Sequence, residues 1–127
     1  MIGYVTLGTN DWDRALAFYD ALLAEIGATR LMDIEDFVLF GTSPENACLA
    51  VVNPYDKKAA SVGNGVMVAL RADSHDHVEA LYGKALELGG TDEGRPGDRG
   101  GGFYAAYFRD LDGNKLAAFT FDPPGGG

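Results

Sequence analysis

Few side chains in this sequence can do chemistry alone, and their spacing limits what they can do together. His75 and His77, the only histidines, stand beside Asp73 and Asp76, residue types that suit a divalent metal. Two residues apart on a helix, however, the imidazoles point about 200° from each other, so they cannot grip one ion while the helix is intact. The carboxylates beside them favour the positive end of a helix dipole, which makes this stretch a solvated helix start. Cys48 is the single cysteine; it rules out an internal disulfide and sets an intracellular, cytoplasmic location as the expectation. The stretch Gly94–Gly102 holds five glycines and Pro96. It opens no helix, so it does not fit a phosphate-binding loop and is expected to be a flexible connection before a strand.

The elements that must carry any site are written twice. Residues 11–26 place Ala15, Phe18, Tyr19, Leu22, Leu23 and Ile26 on the stripe of an amphipathic helix. Asn10 stands where an N-cap belongs and Gly27 where a C′ residue belongs. At an offset of 63, Val78, Leu81, Tyr82, Ala85 and Leu86 repeat the stripe, Asp73 replaces Asn10, and Gly90 replaces Gly27. Upstream, Tyr4–Leu7 matches Met67–Leu70 at the same offset, and both are short and strand-like. Three strand-like segments follow each helix: residues 29–33, 37–41 and 47–52, then 91–93, 103–109 and 115–121. Asp112-Gly113 signals a two-residue hairpin between the last two.

Each half therefore reads β-α-β-β-β. The fold class is α+β, a single domain over residues 1–127 with repeat halves of about 1–53 and 64–122. Neither half is large enough to be comfortable alone. Residues 123–127, Pro-Pro-Gly-Gly-Gly, are expected to be a disordered tail. The composition, 46% hydrophobic and 23% charged, is that of a soluble globular protein. No apolar run approaches the roughly 20 residues of a bilayer span, and the start of the chain lacks an export signal. The net charge of −9 makes nucleic acid and anionic membrane poor partners; a neutral or cationic small molecule is better tolerated, and the acidity is expected chiefly to keep the protein soluble.

The words "AFYDALL", "GNGVMVAL" and "GGGFYAAYFRDLDGNKLAAF" on a duplicated βαβββ pattern resemble the vicinal oxygen chelate superfamily. That superfamily includes glyoxalase I, extradiol dioxygenases, fosfomycin resistance enzymes and bleomycin resistance proteins. Leu111 departs from the proline usual in relatives. The resemblance covers nearly the whole chain and implies an incomplete barrel around a central cavity. It also implies metal ligands on the first and last strands of each half, typically histidine and glutamate. Carried across, those positions are Tyr4, Leu49, Met67 and Ala117, with Leu49 placed by aligning Asn46 on Asn114 at an offset of 68. A phenol, an isobutyl, a thioether and a methyl cannot hold a hard or borderline divalent ion. No metal and no cofactor are therefore expected.

With the ligands replaced, strand alternation predicts the inner face of the barrel: Tyr4, Thr6, Leu49, Val51, Met67, Ala69, Ala117 and Phe119, with Tyr104 and Ala106 brought in by the hairpin. Cys48, alternating with Leu49, is expected to face the helices. The leading expectation is metal-independent binding or sequestration of a small, partly apolar molecule at these residues, as a homodimer. An alternative is a glyoxalase-type lyase or dioxygenase with a non-standard metal site or a metal-free mechanism. There Tyr4 and Tyr104 would donate protons while Arg95 or Arg99 steadies an anionic substrate. A third reading is a structural or interaction module using an exposed edge or helix face.

Overall fold

The computed structural model describes residues 1–122; the tail expected to be disordered lies outside them. The first half is β1 (Tyr4–Gly8), α1 (Trp12–Ala24), β2 (Thr29–Ile34), β3 (Phe37–Gly41) and β4 (Cys48–Val52). The second is β5 (Val68–Arg71), α2 (His75–Glu87), β6 (Thr91–Asp98), β7 (Phe103–Arg109) and β8 (Lys115–Phe121). Each half makes its own four-stranded sheet, in the orders β1-β4-β3-β2 and β5-β8-β7-β6. The first strand of each half runs parallel to the last, and the other pairs are antiparallel. The two sheets do not close into one barrel. No helix among the described residues is long and apolar enough to cross a membrane.

The helices form where the apolar stripes predict them, and their caps fall one residue later than expected. Asp11 accepts from the Arg14 amide and Ser74 from the His77 amide, each satisfying an otherwise orphaned first-turn N–H. Asn10, freed from capping, spends its side chain on the linker, donating to the Ala60 carbonyl and accepting from the Ala60 amide. The left-handed residue after α2 is Gly89, at φ +102, rather than Gly90.

β6 overturns another expectation. The glycine-rich stretch is strand as far as Asp98. Its register against β7 slips between Asp92 and Gly94 and again between Gly94 and Gly97. An edge strand tolerates such bulges and a proline, because one row of its amides needs no ladder partner.

Both helices bury their stripes against their sheets, and the buried side chains of the two halves form one cluster. Phe18, Tyr19 and Leu22 of α1 and Val78, Leu81 and Ala85 of α2 meet Val38, Phe40, Leu49 and Val51 of the first sheet and Ala106, Phe108, Leu116 and Ala118 of the second. A polar knot ties the halves at one junction. Asn114 in the β7–β8 connection donates to the Gly8 carbonyl and to Asp110, and the Tyr19 hydroxyl donates to the same Asp110 carboxylate at 2.5 Å.

Candidate functional site

Strand register sorts the expected site residues onto two faces. β1 and β4 pair Tyr4 with Cys48, Val5 with Leu49, Thr6 with Ala50 and Leu7 with Val51. Leu7, Leu49 and Val51 belong to the buried cluster and so face the helices. Tyr4 and Thr6 therefore share the opposite, helix-free face with Cys48 and Ala50, and the placements expected for Leu49, Val51 and Cys48 are each reversed. One residue of turn length explains this. Six residues join Gly41 to Cys48, whereas five join Arg109 to Lys115. The offset between the halves therefore drops by one across this turn, Ala117 answers to Ala50, and a shift of one residue moves a strand side chain to the other face.

In the second sheet Ala69 pairs with Ala117 and Arg71 with Phe119, while Phe119 pairs with Ala105 and Ala117 with Tyr107. Ala69, Ala117 and Phe119 thus share the helix-free face as expected, but with Ala105 and Tyr107 in place of Ala106 and Tyr104. The cause is again a turn: Arg109 pairs with Lys115 across five residues, where a two-residue Asp112-Gly113 loop would have given the other phase. Tyr104 instead stacks its ring on His75 at 3.9 Å and donates its hydroxyl to Glu79 at 3.3 Å, both in α2. Partial burial and then the Glu79 carboxylate push the Tyr104 hydroxyl pKa above its ordinary value, so it remains a protonated phenol rather than a base.

The donor set does not fit a catalytic divalent metal. With the register corrected, the four positions hold Tyr4, Ala50, Met67 and Ala117. Cys48 reaches the same face, but its thiol points at the Asn46 carbonyl, 3.2 Å away. His77 accepts from the Asp73 amide through Nδ1, and its Nε2 lies 2.7 Å from the Glu25 carbonyl, so both ring nitrogens are engaged. Among the described residues no three His, Cys, Asp or Glu side chains come together as a metal requires.

Three clefts surround the expected residues. A cavity of about 320 Å³ opens between the halves, walled by Val5, Leu23, Phe40, Leu49, Met67 and Ala69. It unites three of the residues named from the sequence, although Leu49 enters it from the helix side. A second, of about 730 Å³, lies by Thr6 and Phe37 beneath the linker at Pro54 and Tyr55. A third, of about 490 Å³, lies between linker residues 62–66 and Met67, Arg109 and Lys115. Ala117 is 2% exposed and Ala105 0%, so neither side chain opens to solvent.

Sequence reasoning missed Arg71 and Lys115, which flank Ala69 and Ala117 at a spacing of two. The same alternation that selected the alanines could have found them.

The family model for the glyoxalase/bleomycin resistance protein/dioxygenase superfamily matches residues 1–118. Among solved structures, a glyoxalase/bleomycin resistance protein from Albidiferax ferrireducens T118 is 32% identical. That match covers 96% of this chain and 99% of the other, with a TM-score of 0.88. A lactoylglutathione lyase from Agrobacterium tumefaciens is 21% identical, covering 94% of this chain and 92% of its own, with a TM-score of 0.67. TnmS3, an antibiotic-binding protein from Streptomyces sp. CB03234, is 20% identical over 96% of both chains, also with a TM-score of 0.67. The last two likenesses speak to the fold alone. A search of curated protein sequences finds no match. The paired βαβββ halves, the extent of the family match and the Albidiferax likeness agree: this chain belongs to the glyoxalase/bleomycin resistance protein/dioxygenase superfamily.

Proposed function

We propose that this chain binds a small, partly apolar molecule without a metal, in the cytoplasm and as a homodimer. One juxtaposition carries the reading. Tyr4, Ala50, Met67 and Ala117 offer no ligand set, while Leu49, Met67 and Ala69 wall an apolar cavity of about 320 Å³. That volume falls in the range of small-molecule pockets, roughly 300–1,000 Å³. Met67 adds an unbranched thioether that can repack around different shapes. The antibiotic-binding relative supports the idea that this scaffold can hold a small molecule. An acid–base enzyme on the same scaffold would have Tyr4 but not Tyr104 at its disposal, since Tyr104 is turned to α2. The net charge of −9 argues against nucleic acid as the partner.

The test pairs metal analysis with a thermal-shift screen. Protein purified without a tag is expected to carry only substoichiometric zinc, nickel, iron or manganese. Neutral apolar probes such as indole and 1-naphthol should raise its melting temperature saturably, because a ligand that binds only the folded state stabilises it by mass action. Ala69→Phe, which fills the cavity from its wall, should abolish that rise. Stoichiometric metal, or no stabilisation by any neutral probe, would sink the reading.

A further inference from the structure

Ten basic side chains face nineteen acidic ones in this chain, yet only half of the bases have an acidic partner among the described residues. Arg14, Arg30, Lys57, Lys84 and Arg109 each lie within ion-pair distance of a carboxylate. Of the other five, three gather on the helix-free face of the second sheet, and each lies over an aromatic ring. The Arg71 guanidinium carbon is 5.2 Å from the centre of Phe119. The Arg99 guanidinium carbon is 5.3 Å from the centre of Tyr107, and the Lys115 ammonium is 5.6 Å from that same ring. All three distances suit a cation–π contact. Phe103 and Phe119 continue the aromatic row, stacked at 5.5 Å.

The backbone is shaped to hold this arrangement. Gly94 lies opposite Tyr107 and Gly97 opposite Ala105. A methyl group on Gly94 would meet the Tyr107 ring at 2.9 Å and Arg99 Nη2 at 3.6 Å. The missing side chains let the guanidinium lie against the strand, where Nη2 donates to the carbonyls of Arg95 and Ala105. The Glu93 carboxylate near this face is committed to Arg109 at 2.5 Å. Arg99 and Lys115 thus place two positive charges about one ring, and among the described residues neither has a carboxylate in ion-pair reach. An anion beside this ring is attracted by both charges. Cations already lie over Tyr107 and Phe119, and Phe103 is stacked on Phe119, so a flat ring beside such an anion packs against the edges of that aromatic row.

We propose that this face is a second binding site, separate from the apolar cavity, and that it takes a planar organic anion of the aromatic carboxylate or sulfonate class. The acid group engages Arg99 and Lys115 beside Tyr107, and the ring lies along the Phe119–Phe103 row next to Arg71. The overall charge of −9 does not prevent this. A field close to the surface is set by the nearest charges, and screening removes more distant ones within about 8–10 Å. The general preference for neutral or cationic molecules expected from net charge is locally reversed here.

Calorimetry with three matched probes tests the proposal: 2-naphthoate, its neutral amide, and 2-naphthylmethylammonium. Naphthoate is expected to bind saturably, the amide about tenfold more weakly, and the ammonium not detectably, since the ring is shared and the charge differs. Naphthoate affinity should fall as salt rises. Arg99→Gln and Lys115→Gln should each weaken it several-fold, and Lys58→Gln, another base without an acidic partner but on the linker, should leave it unchanged. Thermal melts establish that the variants fold, and the comparison of probes on the unaltered protein decides the matter even if they do not. Amide or ammonium binding as tight as naphthoate, or equal losses from Lys58→Gln and Lys115→Gln, would overturn the proposal. So would a change of oligomeric mass in Arg99→Gln or Lys115→Gln with no naphthoate binding, which would make the face a contact between copies. Val5→Phe, which fills the apolar cavity from the first sheet and lies off the cationic face, should leave naphthoate binding intact, so the two sites can fail separately.

Discussion

Tyr19 and Asp110, 91 residues apart in sequence, meet at 2.5 Å in the buried junction of the two halves. The carboxylate also accepts from the amides of Asp112 and Asn114 and from the Asn114 side chain. A buried charge with four donors is satisfied, and removing one leaves it short. Tyr19→Phe is expected to cost about 2 kcal/mol, the loss of one hydrogen bond to a charged group, measured by urea denaturation at neutral pH. Burial foremost, then the Asp110 charge, holds the Tyr19 hydroxyl well above its ordinary pKa of 10.0. Because the folded value exceeds the unfolded one, this group's contribution is complete below about pH 10 and declines as the pH rises beyond it. Melting temperatures followed from neutral to about pH 11 should therefore fall less steeply for Tyr19→Phe than for the parent. An equal slope would show that Tyr19 has no part in the alkaline loss.

At the scale of elements, tight approaches and turn lengths decide what the sequence pattern leaves open. Gly90 follows α2, and a methyl group there would meet the backbone carbonyl oxygens of Arg109 and Ala85 at 2.7 and 2.8 Å. Neither is a flexible side chain that can move aside. Gly90→Ala should lower stability by about 1–3 kcal/mol, seen as a shifted urea midpoint at an unchanged denaturant slope. The helix stripes were legible because a 3.6-residue period over four turns is hard to mimic. The strand faces were less so. Tyr4, Thr6, Ala69, Ala117 and Phe119 fell on the side expected, whereas Leu49, Val51 and Tyr104 did not, since each of these lay beyond a turn of misjudged length. β6 was missed as a strand because its glycines and proline resemble a loop, and only pairing with β7 holds them extended.

The whole molecule leaves large apolar side chains exposed on its helix-free faces: Tyr4 at 55%, Ile34 at 57% and Phe121 at 53%. Exposed groups of this size on sheet faces are a common mark of association. Light scattering at micromolar concentration should give the mass of two chains, and Ile34→Lys should shift it toward one; a single-chain mass for the parent would remove the homodimer from the reading. The sequence by itself determined the duplicated β-α-β-β-β order and the buried stripes of both helices. Those features are local or periodic, and a neighbour three or four residues away is enough to encode them. Only the tertiary structure decided which face each strand residue occupies, that the apolar cavity lies between the halves, and that Arg71, Arg99 and Lys115 share one surface. Those outcomes depend on hydrogen-bond register between segments far apart in the chain, where a single residue in a turn reverses every side chain that follows.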